Sequence, residues 1–474
     1  MALRRLLPLL CCVALLCRLD LAAPAAAQTA ADLMASGRVH AAADRHAQAL
    51  TDFSRAVEAD PSVLAQVSRD MAWQALWNDD APQAVTWFRV WRSLHPDQAD
   101  DPDMRRGLAL ALSWANRPGE AAQLYRTLLA EDPADAESRA GLARCLLWDQ
   151  RLREGFAELR RAEAQDPDAG DFALTVLADY DVPLSARLDA SRDSDDLDIT
   201  RWTVGGAAHL AGGFLLQAEP SWATYHRPGR PDADGRRFRA GLVGGLAPGV
   251  TLHLSAWQDR FRGDAPDTYL LGAPTVDWDL TGYDGWLTWQ PSPRLRLDAG
   301  AGRQAVEAMS PLARRVHLNQ RSLSVDRRLS RRWTATAAVG QADYADANRR
   351  WSWTGRLQWH REGRVELWAG PAFTLLDFRF PGEGYWSPDR MTNTGLEARA
   401  RTRGRRWLAE AGVRLGVEKE SGADPFSTGG VDARLAWRLH PAALLSLTAG
   451  HSRSRVTGSG YSRDFVGLAV RVFP

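Results

Sequence analysis

The 474-residue chain is short of lysine: of its 59 basic residues only Lys419 is not an arginine. We ascribe this to a GC-rich genome and draw no chemistry from it. Cysteine is scarce as well, and three of the four, Cys11, Cys12 and Cys17, stand in the first 27 residues. Cys145, alone in the remainder, excludes an intramolecular disulfide and a cysteine-built metal cluster, and is expected to be a small core residue. No long apolar run follows residue 30, although 45% of the chain is hydrophobic and 25% charged. Helical membrane spans are thereby excluded, and any insertion into lipid must use strands. A G-x-S-x-G elbow, an H-E-x-x-H helix and a phosphate-cradling glycine loop are all missing. The ten histidines are dispersed, so a hydrolytic reading would need His253 or His317 beside a serine. Neither an enzymatic activity nor a cofactor is expected.

What is present begins with Arg4 and Arg5, an apolar stretch over 6–16 and Ala25-Ala26-Ala27 before Gln28. Together these read as a secretory signal peptide over 1–27. No cysteine in it follows a Leu-small-small pattern, so lipidation is not expected. The near-zero net charge hides an asymmetry: residues 1–183 carry 19 basic and 27 acidic side chains, residues 184–474 carry 40 and 31. The basic surplus is spread along the second half rather than clustered, and nucleic acid is not an expected partner.

Residues 28–180 carry a repeat. Pro61, Pro96, Pro133 and Pro167 recur at intervals of 35, 37 and 34 residues, the period of a tetratricopeptide array. In that register the first helix of each repeat has a small residue at Gly37, Ala72, Ala109 and Ala143. The second has one at Ala49, Ala84, Ala121 and Gly155, followed four positions later by Phe53, Phe88, Tyr125 and Leu159. Small residues let paired helices approach, and the larger ones fill the space between repeats. Trp77, Trp114 and Trp148 share position 13 of repeats two to four. Position 13 lies about 200° around the helix from position 11, which packs against the paired helix. It is therefore expected to face the concave groove. A ladder of indoles suits sugar stacking, and the same rings can instead cap the first helices and fill the corners between repeats.

Residues 184–474 change period. In 294–303, Leu295, Leu297, Ala299 and Ala301 alternate with Arg296, Asp298, Gly300 and Gly302. In 431–439, Val431, Ala433, Leu435, Trp437 and Leu439 alternate with Asp432, Arg434, Ala436 and Arg438. In 351–360, Trp351, Trp353, Leu357 and Trp359 alternate with polar residues. One side chain in two facing hydrocarbon, strands of roughly ten residues and fourteen tryptophans, many near strand ends, point to a closed barrel in lipid. Tight turns at 211–213, 247–249, 291–293, 330–332, 361–363, 403–405 and 440–443 take turns with longer polar stretches, including 226–235, 263–281, 305–314, 378–390 and 421–429. Seven turns and eight loops make sixteen strands, and the expected fold is an α-helical tetratricopeptide-repeat solenoid followed by a transmembrane antiparallel β-barrel over 184–474. The last strand, 465–473, resembles the terminal assembly signal of outer-membrane barrels. Pro474 departs from that pattern, and Arg471 breaks the alternation if Phe473 faces lipid.

The signal peptide, the repeats with Trp before their turns (Trp114-Ala115-Asn116-Arg117, Trp148-Asp149-Gln150-Arg151) and the C-terminal barrel together resemble two groups. One is the exopolysaccharide-export porins of PgaA type, the other the YaiO-like outer-membrane barrels. The resemblance implies a non-enzymatic outer-membrane pore that moves a secreted polysaccharide, with periplasmic repeats holding the polymer or a polysaccharide-modifying or synthase-associated protein. The array here is short for a PgaA-type exporter.

Alternation assigns to the lumen Arg187, Asp189, Arg201, Arg237, Arg239, Asp284, Arg296, Asp298, Arg356, Glu366, Glu397, Arg399, Glu410, Arg414, Asp432, Arg434 and Arg438. Opposed signs on one wall are expected to pair across strands and stiffen the barrel. Members left unpaired, with Trp257, Trp286 and Trp368 on the same face, would make a polar and aromatic track for a sugar chain. Two other readings stay open. The barrel is a plugged anchor whose repeats recruit proteins, or it is a surface receptor or adhesin using the loops 263–281 and 378–390.

Overall fold

The computed structural model describes residues 28–149, 151–166 and 184–473, apart from short loop stretches at 195, 211–213, 229–231, 248, 264–275, 293, 382–384, 441 and 457–458. The expected signal peptide, the end of the repeat region beyond 166, the 211–213 turn and most of the 263–281 loop lie outside those residues.

Eight helices form four antiparallel pairs: α1 (Ala30–Ala42) with α2 (His46–Ala59), α3 (Leu64–Trp77) with α4 (Ala81–Leu94), α5 (Pro102–Trp114) with α6 (Pro118–Glu131), and α7 (Ala136–Trp148) with α8 (Leu152–Gln165). Their starts are written in the sequence. Thr29 and Asp32 close a capping box at α1, Asp80 accepts from the Gln83 amide, Asp135 from that of Ser138, and Pro102 and Pro118 stand where a helix loses no hydrogen bond to proline. The turns after α1, α3 and α5 each place a left-handed residue, Asp44, Asp79 and Asn116, types that tolerate that conformation. All twelve residues of the repeat signature are buried, the ten other than Gly37 and Gly155 between 0% and the 3% of Tyr125. Gly37 shows why the position must be small: a Cβ there would stand 2.7 Å from the Phe53 ring. Cys145 is in this core, and burial pushes its thiol up to about 12.

The second region is one sheet closed on itself, with every strand antiparallel to the next and β1 paired to β16. Its strands are β1 (Leu184–Asp193), β2 (Asp198–His209), β3 (Leu215–His226), β4 (Ala233–Ala247), β5 (Val250–Gly263), β6 (Val276–Ser292), β7 (Leu295–Ala305) and β8 (His317–Arg328). The other eight are β9 (Trp333–Tyr344), β10 (Arg349–Arg361), β11 (Val365–Phe378), β12 (Arg390–Arg403), β13 (Trp407–Glu420), β14 (Phe426–His440), β15 (Ala443–Val456) and β16 (Ser459–Val472). The turn and loop rhythm thus produces the expected sixteen strands. The described turns and both ends of the barrel segment lie at one end, called the turn end below, and the described loops lie at the other. All strands but β1 run longer than ten residues: Val276 to Thr281 extend β6 and Phe426 to Gly429 open β14, where the sequence reading put loops.

The barrel is built inside out relative to the array. Its exposed large side chains, among them Trp202, Trp222, Phe238, Leu396, Leu415, Val431 and Leu468, form the outer surface. Outward tryptophans gather toward both ends: Trp289, Trp333, Trp359, Trp407 and Trp437 near the turns, Trp202, Trp222, Trp351 and Trp353 toward the loops. These are the heights at which an indole has one face in hydrocarbon and its N–H near water.

Phe473 decides the phase of the last strand. It is 3% exposed and its ring lies 5.0 Å from that of Phe156 on α8, so it does not face lipid. The β16 alternation therefore ends at outward Val472, and Arg471 falls on the inner face in step with Gly467 and Ala469.

Candidate functional site

Every charged residue that alternation assigned to the lumen stands on the inner face, opposite in phase to the exposed Leu, Val and Trp of its own strand. Most are paired. Arg187 meets Asp189 at 2.7 Å, Arg239 meets Asp284 at 2.9 Å, Arg296 meets Asp298 at 2.9 Å and Arg356 meets Glu397 at 2.9 Å. Arg399 with Asp432 (3.5 Å), Glu366 with Arg403 (3.6 Å) and Glu410 with Arg434 (3.6 Å) are looser, while Arg401 sits closer to Glu410. Arg414 has no ion pair among the described residues. Arg187 with Asp189 and Arg296 with Asp298 pair along one strand rather than across strands as expected, and the other pairs cross between strands; both kinds neutralise the wall locally.

The three inner tryptophans divide. Trp286 is 40% exposed, with His253 edge-on at 6.3 Å. Trp368 is stacked on His360 at 4.8 Å with the Arg401 guanidinium 5.4 Å from its ring. Trp257 faces inward but is only 7% exposed, so it corrects the expectation of an open stacking face. Its indole N–H donates to Asp259 at 3.0 Å, and Arg237 and Arg239 stand 5.2 and 5.6 Å from its ring centre. Gly282 beneath it has no room for a Cβ, which would come within 2.2 Å of the indole. Trp257 is wall, not surface. His253 approaches the Ser255 hydroxyl at 3.1 Å, but that hydroxyl also accepts from Arg239, and no carboxylate orients the other ring nitrogen among the described residues. The pair therefore lacks the third member of a hydrolytic triad.

The repeat array touches the turn end at two places. On one side Arg294, in the β6–β7 turn, donates to the Asn78 carbonyl at 3.3 Å, and Arg328 at the end of β8 pairs with Asp79 at 3.1 Å. On the other, Glu163 of α8 receives both arms of Arg438, one at 3.0 Å, and Phe156 packs on Phe473. In a ring of sixteen, β7 and β15 are eight strands apart, which is half the circumference. The array therefore crosses the mouth along a diameter.

Asn78 and Asp79 directly follow Trp77, so the first contact puts the indole ladder at the mouth. Trp77 stacks on Trp73 at 5.9 Å and meets Trp114 edge-on at 6.3 Å, and both Trp77 (40%) and Trp114 (36%) keep a face open. Trp148, also 40% exposed, carries no ring contact among the described residues. Each of the three ends the first helix of its repeat.

At the opposite end the sequence reading missed a feature. The stretch 305–314, read as a polar loop, folds into the bore: it contains the short helix α9 (Met309–Ala313), and Leu312 (0%), Ala313 (4%) and Val316 (2%) are buried. Leu312 and Ala313 pack with Tyr225, Phe261, Trp278 and Leu280 of β3, β5 and β6, while Val306 and Val316 pack with Leu318, Tyr344 and Phe378 of β8, β9 and β11. The signal was present, since Ala305, Val306, Ala308, Met309, Pro311, Leu312 and Ala313 are unusually apolar for a loop in water. Tyr385 and Trp386 also lie on the rim, Tyr385 stacked on Tyr344 at 5.0 Å and the Trp386 indole N–H donating to Glu420 at 3.0 Å.

A tetratricopeptide-repeat family model matches residues 115–178. The helical region is a tetratricopeptide array. No curated protein matches the chain. Among solved structures it is similar to a bacterial polysaccharide outer membrane secretin, 11% identical, over 62% of this chain and the whole of that one, with a TM-score of 0.50. Weaker likenesses include the CymD monoaromatic hydrocarbon channel (9% identity, 64% of this chain and 93% of that one, TM-score 0.35) and Pseudomonas aeruginosa OccK11 (12%, 60% and 94%, 0.36). The array is similar to YrrB, a repeat protein with an unusual peptide-binding site (18%, 31% and 76%, 0.26). At these identities the likeness is one of fold, a closed antiparallel barrel.

Proposed function

We propose that the chain is an outer-membrane pore for a secreted polysaccharide, with the repeat array held at the periplasmic mouth to receive the polymer or the protein that delivers it. The observation that carries this reading is the placement of the Trp77–Trp114 ladder at the mouth by Asn78 and Asp79. Aromatic faces stack on pyranose rings without fixing a register. A wall of paired charges offers hydroxyls hydrogen bonds to exchange for those of water, so a chain slides rather than sticks. The similarity of the barrel to a polysaccharide outer membrane secretin fits this reading.

Deleting the gene and measuring secreted against periplasmic polymer tests it: secretion should stop and polymer should accumulate inside, and unchanged secretion rules the reading out. Complementation then asks for the ladder. Trp77→Leu/Trp114→Leu keeps apolar bulk but removes the π face and should cut secretion, whereas Trp77→Phe/Trp114→Phe should retain most of it.

A second reading, a closed anchor whose repeats recruit proteins, draws on the loop folded into the bore. Conductance in planar bilayers separates the two, because a permanent plug shows no large open state.

A further inference from the structure

Besides the packing of Leu312, Ala313 and Val316 and a 3.3 Å bond from Arg315 to the Asp277 carbonyl, the inward loop is held by one buried carboxylate. Glu307 lies between the guanidiniums of Arg201 on β2 and Arg237 on β4, 3.1 Å from the second and closer to the first. Arg237 has a further partner in Asp259, at 2.6 Å, which also accepts from Trp257. Arg201 has no other acidic partner among the described residues; its remaining contact is the Tyr225 hydroxyl at 3.3 Å. Tyr225 and Asp259 are almost fully buried, and the space left around the group is about 10 Å³, roughly that of one water. Burial opposes a charged Glu307, yet the two guanidiniums outweigh it and hold its carboxyl below the usual carboxylate range. The group is thus a built, balanced seat for a carboxylate, with two positive charges met by Asp259 and Glu307.

Glu307 is the one member that belongs to a loop rather than to the wall. The loop closes on itself through Val306 N–H to Val316 O at 3.0 Å and Val316 N–H to Pro311 O at 2.8 Å, so it can leave as a unit. Its departure would strand the Arg201 guanidinium in a half-buried wall without a counter-charge, which is costly. An incoming carboxylate removes that cost, because guanidinium pairs bind carboxylates in the same forked geometry whichever chain supplies them.

We propose that Arg201 and Arg237 form a carboxylate-binding site in the bore, that Glu307 fills it as a built-in ligand, and that a carboxylate-bearing sugar chain exchanges with Glu307 and releases the loop. This rests on the pore reading and narrows its substrate class to acidic glycans.

The test uses the full chain in planar bilayers, with oligogalacturonate as the acidic probe and maltohexaose as the neutral one. Glu307→Gln should raise conductance several-fold and leave the seat without its anion. Oligogalacturonate should then half-block the current at a concentration about tenfold below that of maltohexaose, the difference one charge-assisted contact supplies. Arg201→Gln/Glu307→Gln should erase that preference. Should Glu307→Gln fail to assemble, replacing 306–316 with a short turn like those at the other end vacates the seat without leaving part of the loop behind. Equal block by the two sugars, a preference that survives loss of Arg201, or a conductance unchanged from wild type overturns the site while leaving the pore reading intact. No current from any form defeats the pore reading itself.

Discussion

The array and the barrel place apolar side chains in opposite ways. In the array Phe53, Phe88 and Leu159 are almost fully buried and most charges are outside; in the barrel Leu396, Leu415 and Trp202 are more than half exposed and charges such as Arg356, Glu397 and Asp432 line the interior. One region is folded by withdrawal of apolar surface from water, the other by backbone pairing in a solvent that is itself apolar. The same substitution therefore has opposite consequences in the two.

The largest expected effect is in the array. Phe88→Ala removes a ring 2% exposed and should cost about 3–5 kcal/mol. Helical circular dichroism should melt early while the barrel keeps its resistance to detergent unfolding, and joint loss of both would break the comparison. Next, Leu396→Arg on the outer face should cost about 2–4 kcal/mol in urea unfolding from lipid vesicles. Thr374→Arg on the inner face of β11 should leave stability nearly unchanged; equal effects at the two would mean that the wall has no lipid side.

Smaller effects test the junction. Arg438→Gln breaks a buried pair with Glu163 and should loosen α8 by about 1–3 kcal/mol, read as faster hydrogen exchange there. Arg328→Gln, whose pair with Asp79 is half-exposed, should cost about 0–1 kcal/mol. The smallest is a reactivity. With its thiol pushed up to about 12, Cys145 remains protonated at pH 8 and should ignore a water-soluble maleimide until the array unfolds. Prompt labelling of the folded chain would contradict its burial.

Much of this was legible because both periods are local. Four proline-spaced registers placed Ala49, Ala84 and Ala121 in the array core, and a two-residue period put Arg356 and Asp432 inside and Leu357 and Val431 outside. What stayed hidden depends on contacts between distant segments. Trp257 has the right phase for the bore, but its cover by Arg237 and Arg239 comes from the neighbouring strand. Phe473 has the phase of an inward residue, and only its packing on Phe156, more than 300 positions earlier, makes that meaningful. The 305–314 stretch has no helical or strand period and so reads as a connection, although its apolar content fits a segment that needs a surface to bury against. The ladder's place at the mouth required Asn78 and Asp79 to meet Arg294 and Arg328, which no periodicity encodes.

The central claim is that the inner face of the barrel is wet and the outer face is not. Single cysteines along β10, at Trp353, Thr354, Arg356, Leu357 and Gln358 in a Cys145→Ser background, can be exposed in lipid vesicles to a charged, membrane-impermeant thiol reagent. Labelling at 354, 356 and 358 with protection at 353 and 357 is the result this account predicts; uniform labelling, or labelling in the opposite phase, would contradict it.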